Sequence, residues 1–233
     1  VREARDEHSR AGSGRFTRAL RGARSGGVPI VTYSLIGVNV LVWLLELVTG
    51  GQSGPIYQLG AYYPPLTAYE PWRMLTSAFL HSPSSVFHVL FNMYSLFVVG
   101  PTLEYMLGRG RYLALYLIAA FGGSVGVLLL APGVVVVGAS GAVFGLLGAY
   151  FVITRRLGGN ASSILIVIVL NLVLGFFVSG IAWQAHLGGL VAGGLVALVF
   201  VMTRTRRLRA VQTVGIAAIA AALVVTTVVR VLL

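Results

Sequence analysis

The chain has 233 residues, 57% of them hydrophobic and only 10% charged, whereas a soluble domain carries about a quarter charged residues. That composition excludes a water-soluble globular protein, and apolar runs of about 20 residues exclude a barrel of short alternating strands. The net charge of +11 comes from 17 Arg and no Lys. These arginines gather in an N-terminal tail and in short gaps between apolar runs, a placement that fits cytoplasmic loops and excludes a stripe tracking nucleic acid.

Residues 1–27 are polar, Gly- and Arg-rich and without apolar periodicity. They read as a solvated cytoplasmic tail that enforces topology, with contact to anionic lipid as the alternative, and not as a cleaved signal peptide. The first predicted span covers about 29–49, from Pro29 to the Gly50-Gly51 break. A segment over 50–84 follows, holding Tyr57, Tyr62, Tyr63, Pro64, Pro65, Trp72 and Arg73. It is too polar and proline-broken to cross a bilayer, and its aromatic rings suit the membrane interface, so it reads as a structured interfacial loop. The second span begins near Ser84-Ser85, N-cap residue types, and runs past Gly100-Pro101 to about 107. Further spans are predicted over about 112–131, 139–154, 163–179, 184–203 and 210–232. The expected fold is therefore an all-α polytopic membrane protein. Its domains read as the tail, a six-helix core over 28–203, and a basic loop with a seventh helix over 204–233.

Charge fixes the expected orientation. With the tail inside, 15 of the 17 Arg fall on the cytoplasmic side, leaving only Arg73 and Arg230 outside. Counted back from the cytoplasmic ends at ~1.5 Å per residue, Ser140, His186 and His88 lie ~22, ~27 and ~24 Å deep. In a hydrocarbon core of ~30 Å the three share one layer below the outer surface. Gly141, Gly145 and Gly148 form a small-residue stripe beside Ser140, and Gly189 and Gly193 lie on the face of His186. Such stripes let helix backbones approach closely in lipid, which is expected to bring Ser140 to His186. His88 and Asn92, four apart, share a face of the second span.

Alone, Ser140 would read as a packing serine bonded to its own helix, and His88 with Asn92 as an interhelical polar clamp. An ionisable group within the bilayer, such as His186, is functional by default. Together the residues suit nucleophilic acyl transfer, with Ser140 attacking and His186 taking its proton. Glu46, Glu70 and Glu104 sit near helix ends or in the loop, so a Ser-His dyad is implied and not a triad. Oxyanion donors would come from the Ser140 amide and the His88 and Asn92 side chains. The two intramembrane histidines lack carboxylate or Cys partners at ligand spacing, so no metal site and no cofactor are expected. The absence of cysteine also removes thiol catalysis and disulfides.

Gly138-Ala139-Ser140-Gly141, Ala185-His186-Leu187-Gly188-Gly189 and His88-Val89-Leu90-Phe91-Asn92 together resemble the rhomboid intramembrane serine proteases. Trp72-Arg73 and Gly100-x-x-x-Glu104-x-x-x-Gly108 look like two further motifs of that family, in the family's order. The resemblance covers about residues 30–203. It implies Ser140 as nucleophile, His186 as base and then acid, and an oxyanion hole of His88, Asn92 and the Ser140 amide. It also implies that Gly138 permits close approach before the nucleophile and that Phe144, where many members carry Tyr, packs on His186. The loop holding Trp72-Arg73 would frame the site, and the seventh helix is similar to the extra C-terminal span some rhomboids add.

A site below the outer surface would open to water through the connector Ala131–Val137 while its walls face lipid. The expected partners are the bilayer and the transmembrane helices of substrate proteins, cleaved where they unwind near the outer face. Two other readings compete. A non-catalytic rhomboid-like protein that escorts client helices usually lacks the Ser or the His, and a transporter would show an inverted repeat or paired broken helices. A bacterial inner membrane, with the N-terminus in the cytoplasm, is the expected location.

Overall fold

A computed structural model describes residues 27–178 and 180–233. Apart from Gly27, the predicted tail lies outside the described residues. Nine α-helices occur among them: α1 Ile30–Val48, α2 Pro55–Gly60, α3 Arg73–Thr76, α4 Val86–Leu107, α5 Arg109–Leu130, α6 Ser140–Arg156, α7 Ser162–Phe177, α8 Trp183–Met202 and α9 Arg209–Leu232. The seven long ones match the seven predicted spans to within a few residues, and the predicted interfacial loop holds α2 and α3.

Among the described residues, five helices are long and apolar enough to cross a membrane by length and composition: α1, α4, α5, α8 and α9. The other two are shorter, α6 with 17 residues and α7 with 16. At ~1.5 Å per residue α6 extends only ~25 Å. It is entered through a non-helical connector from Ala131 to Ala139.

The core forms where α5, α6 and α8 meet, and glycine sets the spacing. A Cβ added to Gly141 would lie 3.4 Å from the Ala185 carbonyl oxygen, and one on Gly145 would lie 2.9 Å from that of Gly189. On an adjacent face of α8, a Cβ on Gly188 would come within 3.0 Å of the Gly126 backbone in α5. The α6 and α8 stripes were legible in the sequence; the α5 stripe is a structural addition. Around this centre pack Leu96, Leu103, Leu115, Tyr116, Leu146 and Val196, all fully buried. Most large apolar side chains of α7 and α9 are exposed, as lipid-facing helices require.

Two of the sequence motifs hold elements together. Glu104 in α4 accepts hydrogen bonds from the Val31 and Thr32 amides at 3.0 and 2.7 Å and from the Thr32 hydroxyl at 2.8 Å. It thereby satisfies the first amides of α1, which have no partner in their own helix. Four residues before it, Gly100 leaves room for Tyr112 and Thr32, whose atoms would lie 2.6 and 2.7 Å from a Cβ. In the loop, Arg73 is buried and ion-paired with Glu70. Its guanidinium donates to the Ala61 carbonyl at 2.9 Å and to that of Gln58, while Trp72 donates to Leu59 at 3.2 Å. The Trp-Arg pair thus satisfies carbonyls at the end of α2 and fixes the loop's path. Tyr62 and Val136 then exchange two backbone hydrogen bonds, of 3.0 and 2.8 Å, tying the loop to the connector before α6.

Candidate active site

Ser140 is the first residue of α6, with Ala139 at the N-cap. Its amide therefore has no acceptor within the helix, and its side chain is half-buried. His186 lies in the first turn of α8 and is 7% exposed. His88 lies in the first turn of α4. Short connectors make successive long helices antiparallel, so α4, α6 and α8 share a direction and their N-terminal ends gather on one side.

The packing brings these ends together. Phe144, one turn after Ser140, stacks on the His186 ring with centroids 4.1 Å apart and planes inclined by 8°. A Cβ added to Gly141, the neighbour of Ser140, would lie within 3.4 Å of the carbonyl oxygen of Ala185, the neighbour of His186. Phe144 thus occupies one face of the imidazole and leaves its edge for a hydrogen-bonded partner. Nδ1 of His186 is buried with no hydrogen-bond partner among the described residues. Among the described residues, no carboxylate is hydrogen-bonded to this histidine.

Gly138 closes the opposite side. Its φ of +127° is one that side-chain-bearing residues rarely adopt. A Cβ there would lie 2.7 Å from Nε2 of His88 and 3.8 Å from Oγ of Ser140. The glycine therefore leaves a small space bounded by the His88 ring edge and the Ser140 hydroxyl. Its own amide donates to the Ser77 carbonyl at 2.9 Å, which fixes this strained turn against the loop. Nδ1 of His88 accepts from the Ser82 amide at 3.2 Å. In a neutral imidazole the proton must then sit on Nε2, the nitrogen facing that space. Asn92 is buried, and its Nδ2 donates to the His88 carbonyl at 2.8 Å. One N–H of that amide remains for another acceptor. Asn171 donates to its own helix at Val167, 2.8 Å away, as a packing residue would.

Sequence reasoning passed over His81 and Glu46. His81 is fully buried, and its ring meets the His88 ring edge-on at 5.2 Å. Glu46, near the end of α1, is also fully buried and accepts from the His81 amide at 3.0 Å. The signal for His81 was a histidine in the loop just ahead of the His88 motif. For Glu46 the sequence offers only an acid close to a span end, where acids are ordinary.

His81 lies outside the spans. Burial, assisted by the adjacent His88, pulls its pKa from the ordinary 6.5 down to about 3. Between those values the unfolded chain binds the proton and the folded chain does not, so this contribution to stability is complete above pH 6.5 and is lost as pH falls toward 3. The slope approaches roughly 1.4 kcal/mol per pH unit. The His81→Gln variant, having nothing to titrate there, is expected to show a flatter fall in melting temperature in detergent between pH 6 and 4. Parallel curves for the two proteins would remove His81 from this role.

Comparison with known proteins converges on one family. The Rhomboid domain matches residues 68–204, more than half of the chain. Rhomboid protease GluP of Bacillus subtilis (strain 168) is 37% identical over 175 residues, 72% of this chain and 34% of GluP. YdcA of the same strain, which also carries the rhomboid name, is 34% identical over 192 residues, 77% of this chain and 92% of YdcA. RHOMBOID-like protein 1 of Arabidopsis thaliana is 38% identical over 141 residues, 58% of this chain and 36% of that protein. The chain thus spans about a third of GluP and nearly all of YdcA. With its apolar helices, these matches make it a multi-pass α-helical membrane protein, and the relatives' names support protease activity. The chain belongs to the rhomboid family.

Proposed function

We propose that the protein is an intramembrane serine endopeptidase that hydrolyses peptide bonds in or near the transmembrane helices of other membrane proteins. The observation that carries this reading is the convergence of the α6 and α8 starts, with the Phe144–His186 stack beside Ser140. Ser140 attacks the scissile carbonyl carbon while His186 takes its hydroxyl proton. The carbonyl π electrons move onto oxygen, and that oxyanion is held by the Ser140 amide, Nε2–H of His88 and the free N–H of Asn92. The tetrahedral intermediate collapses, His186 returns the proton to the leaving amine, and an acyl-enzyme remains. Water then attacks with His186 as base and releases the acid. Gly138 keeps the oxyanion space open. Phe144 orients the imidazole by stacking, which requires no hydroxyl. No carboxylate is asked to steer the ring, so this is a dyad.

The catalytic unit is residues 28–203, with 204–233 as an added basic loop and span. The distribution of arginine supports a cytoplasmic N-terminus and a site opening to the outer side. The bacterial relatives support a bacterial inner membrane. Substrate helices that unwind readily near the outer face, with small residues at the cleavage point, suit a narrow glycine-lined site.

The test is reconstitution in liposomes with a generic single-span substrate, together with labelling by a fluorophosphonate. A protease cleaves the substrate, and the probe maps to Ser140. A non-catalytic escort of client helices binds the substrate with neither cleavage nor label, and that result overturns the proposal. Within the active protein, Asn92→Ala is expected to lower turnover about 10–1,000-fold by removing one oxyanion donor. Steady-state kinetics check this, and an unchanged kcat takes Asn92 out of the hole.

A further inference from the structure

The buried acid that this mechanism leaves unused lies two links behind the oxyanion donor. Glu46 is fully buried in α1, on an apolar helix with no other acid. One carboxylate oxygen accepts from the His81 amide at 3.0 Å, across 35 residues of sequence. The next amide along, that of Ser82, donates to Nδ1 of His88 at 3.2 Å. Nε2 of His88 then faces the Gly138–Ser140 space. An acid, two consecutive loop amides and an imidazole thus form a single path from α1 to the site. The His81 ring, edge-on to His88 at 5.2 Å, braces the same ring from the side.

We infer that Glu46 is a positioning residue for the oxyanion hole: it anchors the His81-Ser82 segment so that the Ser82 amide holds His88 as the Nε2–H tautomer. This rests on the protease reading for its catalytic consequence, but the geometry stands apart from it. A segment without secondary structure, lying between Leu80 and Pro83, has few means of its own to aim one amide at a ring nitrogen. A buried acceptor on a packed helix supplies that rigidity. If the Ser82 amide drifts away, Nδ1 loses its donor and the imidazole can carry its proton on either nitrogen. The Nδ1–H form points a lone pair, not a donor, at a developing oxyanion. Catalysis then falls while ground-state binding of a long apolar helix does not.

The experiment compares Glu46→Gln and Glu46→Leu with wild type in detergent, reading kcat, KM, melting temperature and the ¹⁵N resonances of the histidine rings. Glutamine keeps a carbonyl acceptor, so kcat is expected within about 3-fold of wild type, whereas leucine removes the acceptor and is expected to lower kcat about 10–100-fold with KM within about 2-fold. In wild type, Nδ1 of His88 should resonate as the unprotonated nitrogen, with assignment by His88→Ala. In Glu46→Leu the two ring nitrogens should move toward intermediate values. Equal kcat in a folded Glu46→Leu, or a glutamine variant that falls as far as leucine, overturns the inference. So does a protonated Nδ1 of His88 in wild type, a measurement that needs no variant at position 46 to fold. Should wild type neither cleave nor label, the protease reading fails. The tautomer and its response to Glu46 then still decide the positioning role.

Discussion

Ser140→Ala and His186→Ala are each expected to lower the cleavage rate by about 10⁴–10⁶-fold, with the double variant little slower than either alone. The reason is chemical. A nucleophile without its base and a base without its nucleophile both leave only oriented binding and the oxyanion donors, so the second deletion has little left to remove. In a dyad this non-additivity should be complete, because Nδ1 of His186 has no partner among the described residues through which a third group could act. Single-turnover assays with a fluorogenic transmembrane peptide measure the three rates. Fluorophosphonate labelling should vanish in Ser140→Ala. Losses that multiply, or a Ser140→Ala protein as active as wild type, would place the chemistry elsewhere.

Gly193→Ala and Gly194→Ala, one residue apart on α8, are expected to have opposite consequences. A Cβ at Gly193 falls on the backbone of Gly145 in α6, against its carbonyl and Cα, which cannot rotate aside. A Cβ at Gly194 meets nothing within 4 Å. The first substitution must therefore separate α6 from α8, at about 3 kcal/mol or more, the upper part of the overpacking range. That corresponds to a melting temperature lower by roughly 6–12 °C for a chain of this size. The second gains helix propensity of up to about 1 kcal/mol and should leave the melting temperature unchanged or slightly raised. Turnover should separate the pair as well. Gly193 lies two turns below His186, and a displacement of ~1 Å between reacting groups can cost about 100-fold in rate. Thermal unfolding in detergent and kcat for both variants check this. Equal behaviour of the two would mean that α6 and α8 do not meet along their glycines.

The spans and the small-residue stripes of α6 and α8 were legible in the residues, and the proposed pairing of Ser140 with His186 starts from the same stripes. Hydrophobic periodicity and length are strong signals in a chain that must hide every backbone polar group from lipid. Glycines three and four apart can mean only a few kinds of contact. The sequence motifs around His88-Asn92 and Gly138 were likewise readable as types of residue at set positions. Their directions were not. That Nδ1 of His88 is held by the Ser82 amide follows from where a loop lands, and no local pattern encodes it.

The same division applies to the acids. From the residues alone, Glu46, Glu70 and Glu104 fall at a span end or in the loop, which is why no carboxylate is expected beside His186. What the three acids bind is visible only in the folded chain. Glu104 caps α1, Glu70 pairs with Arg73 in the loop, and Glu46 holds the segment ahead of His88. A carboxylate's role depends on which distant amides and cations come within about 3 Å of it. Those contacts join residues 35 and 72 positions apart in two of the three cases. Periodicity reports which face of a helix is buried, and it carries no information on what a long-range fold will place against that face.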